Sequence, residues 1–135
     1  MFVRPSIVLA LGALAASCTT PGLPSCPSGS QPMVSETLYF GTQKPNGFVS
    51  SEDWQTFLNE SVTPRFPAGL SVWQAAGQWK SNAGPTVRES SYVLNIVHAD
   101  TPAARAALGA VAGEYKSKFE QEAVLRVRTA TCVSF

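Results

Sequence analysis

The stretch that most limits how this chain can fold is Gly69 to His98, GLSVWQAAGQWKSNAGPTVRESSYVLNIVH. In its second half Tyr92, Leu94 and Ile96 alternate with Val93, Asn95 and Val97, the period of a half-buried strand. The first half alternates less cleanly. Leu70 and Val72 fall on one side, Trp73 and Ala75 on the other, and Gly77 marks a bulge or a close backbone approach. Lys80 to Pro85 is polar and tight enough to join the two as a hairpin. A hairpin in mid-chain must be covered on one face, so the flanking segments decide the fold.

Both flanks read as helix plus strand. Val34 to Gly41 alternates as a strand, and Lys44-Pro45-Asn46-Gly47 supplies turn chemistry. Ser50 can cap a helix, with Asp53 three residues on, and Trp54, Phe57, Leu58 and Ser61 then mark one face until Pro64 stops it. After the hairpin, Thr101 caps and Pro102 opens a second helix striped by Ala104, Leu108, Val111, Tyr115 and Phe119. Gly109 and Gly113 interrupt it, a cost that close packing against the sheet would explain. Ala123 to Phe135 alternates again as a closing strand. Strand, helix, hairpin, helix, strand predicts an α+β, ferredoxin-like β-α-β-β-α-β sandwich. Its four-stranded antiparallel sheet would run in the order 4-1-3-2, with both helices on one face.

Ahead of this domain, residues 1–17 carry one positive charge and an apolar run from Ile7 to Ala16, too short to span a bilayer but suited to a signal peptide. Leu14-Ala15-Ala16-Ser17-Cys18 resembles the lipobox of bacterial lipoproteins, which implies a diacylglycerol thioether on Cys18. Two or three acyl chains would hold a protein to a membrane effectively permanently. Thr19 in place of Asp implies, by the same resemblance, outer-membrane sorting with the domain facing the periplasm. A soluble periplasmic or secreted protein is the alternative. Residues 18–32, with four prolines after Cys18, read as a tether, and 33–135 as the domain.

Composition removes several function classes. Without Arg4 of the leader, nine basic residues face nine acidic ones, which gives no electrostatic case for a nucleic-acid partner. His98 is the sole histidine, so zinc sites of usual composition and a Ser-His-Asp triad are poorly supplied, and Asp100 beside it suits a surface pair. No phosphate-binding glycine motif is present, and no cofactor is expected.

Four segments carry a family resemblance: Glu36 to Gly41 (ETLYFG), Val62 to Leu70 (VTPRFPAGL), Gly77-Gln78-Trp79, and Tyr115 to Gln121 (YKSKFEQ). With the closing strand they resemble the bacterial family called domain of unknown function 3574, over roughly residues 34–135. The resemblance implies a secreted or lipid-anchored protein and no particular activity. Read as residues, Pro64 and Pro67 hold Arg65 on a stiff turn. There it could pair with Glu36, Glu89 or a ligand carboxylate, or simply with a structural partner. Gln78 and Trp79 suit a packed edge or a ligand platform.

If Leu125 and Val127 face the helices with Leu38, Phe40, Leu94 and Ile96, the open face collects Tyr39, Trp73, Glu89, Val93, Asn95, Arg126 and Arg128. Aromatics mixed with charge there leave open an ordinary solvated face, one covered by the tether, or an envelope-protein or homodimer interface, hence a binding or structural module. The alternative is a small isomerase-like or oxygenase-like enzyme with a cavity under that face, as in dimeric ferredoxin-like barrels. An enzyme would use a carboxylate, with Glu89 the candidate; a flat aromatic patch would favour the interface. Acylation of Cys18 would leave an even pair in an oxidising compartment. The predicted topology sets the end of the last strand beside the start of the first, so a Cys26–Cys132 disulfide is expected.

Overall fold

The computed structural model describes residues 22, 24–80 and 84–135. The segment read as a signal peptide, the lipobox-like residues with Cys18, and Ser81 to Ala83 of the hairpin linker lie outside the described residues.

The long strands are β1 (Gln31–Gly41), β4 (Ser71–Lys80), β5 (Thr86–His98) and β6 (Leu125–Val133). They form one sheet in the order β4-β5-β1-β6, with every neighbouring pair antiparallel. Two short strands, β2 (Gln43–Lys44) and β3 (Gly47–Phe48), pair around the Pro45-Asn46 turn, where Gly47 takes the positive φ. The helices are α1 (Ser51–Phe57), which continues as a π-helical turn over Leu58–Val62, and α2 (Pro102–Phe119).

Both helices start as their sequences dictate. Ser50 and Asp53 form a reciprocal capping box at α1. Thr101 Oγ1 accepts from the Ala104 N–H ahead of Pro102 at α2. β1 begins at Gln31, inside the stretch read as tether, and Pro32 is tolerated because only β6 flanks β1 there. No bulge occurs at Gly77: the pairing of β4 with β5 stays in register from Ser71↔Asn95 to Lys80↔Thr86.

Directly opposed residues share a sheet face. Leu38 and Phe40 of β1 oppose Leu94 and Tyr92 of β5. That face meets Trp54, Phe57 and Leu58 of α1 and Leu108, Val111, Tyr115 and Phe119 of α2 in one buried cluster. Aromatic rings dominate it. Trp54 stacks on Tyr92 at 4.6 Å, and Phe40 lies 4.7 Å from Tyr115 and 5.1 Å from Trp54. The helix glycines have no part in this packing: a Cβ at Gly109 or Gly113 would meet nothing within 4 Å.

The parity expected of β6 is reversed. Arg126 opposes Leu38 and Arg128 opposes Glu36, so both arginines lie on the helix-covered face, while Leu125 and Val127 join Tyr39 and Thr37 on the open one. The cause is Glu36, a carboxylate only 1% exposed on the covered face. A buried acid needs cationic partners. Arg126 Nη2 approaches it at 3.3 Å and Arg128 Nε at 3.7 Å. Arg128 also pairs with Asp100 at 2.6 Å, and Asp100 with Arg105. Among the described residues no helix is long and apolar enough to cross a membrane.

Candidate functional site

The open face is floored at its centre by Val93, which is fully buried. Trp73 opposes Val93 on β4, and Tyr39 opposes it on β1. Further along, Asn95 Nδ2 donates to Ser35 Oγ and Thr37 Oγ1, both at 2.9 Å. Those bonds tie Asn95 into the sheet.

At the other end of the same face a cleft opens. Gly77 opposes Glu89 and Trp79 opposes Val87, so Gly77, Trp79 and Glu89 project to the side that carries Tyr39. Gly77 contributes no side chain, and the indole of Trp79 reaches diagonally to Glu89. Trp79 Nε1 donates to Glu89 Oε1 at 2.7 Å, and the Gln43 N–H donates to Oε2 at 2.9 Å. A carboxylate with one donor on each oxygen is fixed in orientation.

The segment after α2 closes the cleft's remaining side. Glu120 ends the helix with left-handed backbone, φ 53°, and the Gln121 N–H returns to Lys116 O at 3.0 Å. Gln121 Nε2 then donates to Gln43 O at 2.7 Å. From the helix side the Tyr115 hydroxyl donates to Gly41 O at 2.8 Å. Burial, with the nearby Tyr92 and the Glu89 carboxylate acting in the same direction, pushes the Tyr115 phenol well above its usual range. The resulting cleft holds about 370 Å³ between Tyr39, Trp79, Glu89, Gln121, Glu122 and Leu125. Its walls are mainly apolar, and Trp79 and Tyr39 keep 41% and 38% of their surface exposed.

Of the residues singled out in the sequence, Tyr39, Gln78, Trp79 and Glu89 come together at this cleft. Trp73 and Asn95 share the face but stand outside it. Arg126 and Arg128 are on the opposite side, for the reason given above. Arg65 meets neither Glu36 nor Glu89. It forks onto Glu114 of α2 at 2.5 and 3.0 Å, the structural pairing open to it. His98 is buried, with Nδ1 2.8 Å from Ala99 O, and Asp100 is taken by arginines. Gly41, Gln121, Glu122 and Leu125 were not anticipated as site residues. The shared signal was that ETLYFG, GQW and YKSKFEQ all end at one corner of the sheet. The expected disulfide is present, Cys26 to Cys132, with Cα atoms 5.6 Å apart. Among the described residues no group of three or more His, Cys, Asp or Glu is disposed to hold a metal.

Fold and cleft together define a small mixed α+β domain with a cleft on the open side of a four-stranded antiparallel sheet. The chain belongs to the family described as Protein of unknown function (DUF3574), whose family model matches residues 35–135. No curated protein matches the sequence. Among solved structures it is similar to a phage SAM lyase in complex with S-methyl-5'-thioadenosine, with a TM-score of 0.60 and 14% identity over 85% of this chain and 97% of that one. The phage SAM lyase in its apo state gives a TM-score of 0.58 and 15% identity over 84% and 97%. At such identities the likeness is one of fold.

Proposed function

We propose that this domain is a small-molecule binding module of the bacterial envelope, using the cleft on the open face of a ferredoxin-like sandwich. The strand order and the two helices on one face support that name for the fold. The observation that carries the function is the cleft itself. Its volume falls within the usual span of ligand sites, and its apolar walls converge on one oriented carboxylate, Glu89. A flat aromatic surface, as a purely protein-binding face would offer, does not describe this end of the sheet. The likeness to a phage SAM lyase, one structure of which holds S-methyl-5'-thioadenosine, supports a fold able to take a nucleoside-sized ligand. It also keeps an enzymatic reading open, with Glu89 as the reacting base; incubation with SAM and assay for its cleavage tests that directly.

The binding reading is tested by ligand-observed NMR with a fragment library on the full chain in detergent. Gly77→Phe is the control, since a β-carbon at Gly77 meets nothing within 4 Å and a phenyl ring built on it would fill the cleft. Fragments lost in that variant support the site. An identical set of binders in both proteins would sink it.

Attachment to a membrane through Cys18 is part of the proposal. The lipobox-like segment supports it, and the Cys26–Cys132 bridge suits an oxidising compartment. Acyl chains on Cys18, with release or an uncut leader in Cys18→Ser, are the expected outcome. A mature protein starting elsewhere and carrying no lipid would remove the anchor.

A further inference from the structure

The cleft's charge is one-sided. Among the described residues its lining includes two carboxylates, Glu89 and Glu122, and no lysine, arginine or histidine. This is not the general state of the molecule, in which acids and bases nearly balance and several other acids are paired. Glu36 is met by Arg126 and Arg128, Asp100 by Arg105 and Arg128, and Glu114 by Arg65. The donors that hold Glu89 are neutral, an indole N–H and a peptide N–H. They orient its charge without cancelling it. Beside it stand the rings of Trp79 and Tyr39, both substantially exposed. An aromatic-walled recess with an uncompensated carboxylate attracts a cation twice, through the ring quadrupoles and through the full charge.

From this we infer that the cleft selects organic cations, molecules with an alkylated ammonium or similar onium head and an apolar or aromatic remainder. The head would lie against Glu89 and Trp79, and the remainder along Leu125 and Tyr39. A metal ion would be served poorly, because Glu89 already spends one lone pair of each oxygen on a donor and Glu122 is the one other carboxylate in the lining. The inference rests on the cleft's being a ligand site and adds the sign of the ligand's charge.

Three probes of one shape isolate that sign: choline, neutral 3,3-dimethylbutan-1-ol, and anionic 3,3-dimethylbutanoate. Each is titrated into the full chain in detergent, following tryptophan emission and the Trp79 indole N–H resonance. Choline is expected to bind about tenfold or more tighter than the alcohol. The carboxylate is expected to bind weakest, and added salt should erode the preference for choline alone. Glu89→Gln should remove most of that preference. Because Glu89 also braces Gln43 and Trp79, Glu122→Gln serves as the variant that breaks no hydrogen bond among the described residues, and it should reduce the preference severalfold. Equal affinity for choline and the alcohol, or unchanged preference in both variants, overturns the cation assignment and leaves the ligand site standing. Failure of all three probes, with no fragment sensitive to Gly77→Phe, overturns both.

Discussion

Gly41 and Glu89 approach so closely that a β-carbon placed on the glycine would stand 2.8 Å from Glu89 Oε1 and 3.1 Å from Gln121 Oε1. Gly41 has no positive φ, so space rather than backbone freedom requires glycine there. The carboxylate cannot retreat without releasing Trp79 or the Gln43 N–H. Gly41→Ala is therefore expected to destabilise by about 1–2 kcal/mol, within the usual range for overpacking. It should also alter Trp79 emission. Urea unfolding followed by fluorescence measures both, and an unchanged midpoint would show that Glu89 swings aside freely.

Helix α2 carries two positions open to improvement. Gly109 and Gly113 face open space, so alanine at each should stabilise by up to about 0.8–1 kcal/mol. For a domain of about a hundred residues, 1 kcal/mol raises Tm by roughly 4–8 °C. Thermal unfolding of the double variant checks this. A lower Tm would mean that another molecule packs on that side of the helix.

Three acids hold folded-state pKa values below their ordinary ones: Asp53 through Ser50, Asp100 through Arg128 and then Arg105, and Glu114 chiefly through Arg65. A depressed carboxylate contributes stability that is complete above its unfolded value and lost as pH falls through the folded one. Loss is therefore expected below the ordinary 4.5 for Glu and 3.8 for Asp. Glu114→Gln should be less stable than the parent at pH 7, with the gap closing on acidification and narrowing in high salt. A gap independent of pH would assign the difference to packing.

Tyr115 acts at the other end of the scale. Its folded pKa is raised above the ordinary 10.0, so its contribution is whole below pH 10 and disappears as pH rises further. Tyr115→Phe should cost about 1 kcal/mol at neutral pH by removing the bond to Gly41 O. It should also flatten the alkaline fall in Tm. An equally steep fall in the variant would place the alkaline weakness elsewhere.

Reduction of Cys26–Cys132 should lower stability by about 2 kcal/mol, the low end of the usual range, because the sheet already brings the bridged ends together. The loss should be local first, with faster amide exchange where β1 pairs only with β6, at Gln31 and Met33. Exchange measured before and after reduction tests this, and uniform change over the sheet would contradict it.

Elements with strong local signals were legible in the sequence. The capping residues Ser50 and Thr101, the stripe from Leu108 to Phe119, the alternation of Tyr92, Leu94 and Ile96, and the strand order all came through, and with the order the disulfide. The parity of β6 did not. Leu125-Arg126-Val127-Arg128 alternates equally well either way up, and what decides it is Glu36, far off in the chain. The cleft was half legible. Glu89, Trp79 and Tyr39 follow from strand register, whereas Gln121 and Glu122 depend on a left-handed turn at Glu120, a residue type that does not advertise one.

The bridge also settles how tension passes through the molecule. Cys26 precedes the first long strand and Cys132 lies one residue before the end of the last, so a pull applied from outside the bridged pair runs from sulfur to sulfur. The intervening stretch, on the order of 350 Å if drawn out straight, is shunted out of the load path. Stretching from outside the bridge leaves the helices, the cleft at Glu89 and the sheet up to Cys132 slack, and tearing the domain open that way first requires a reductant.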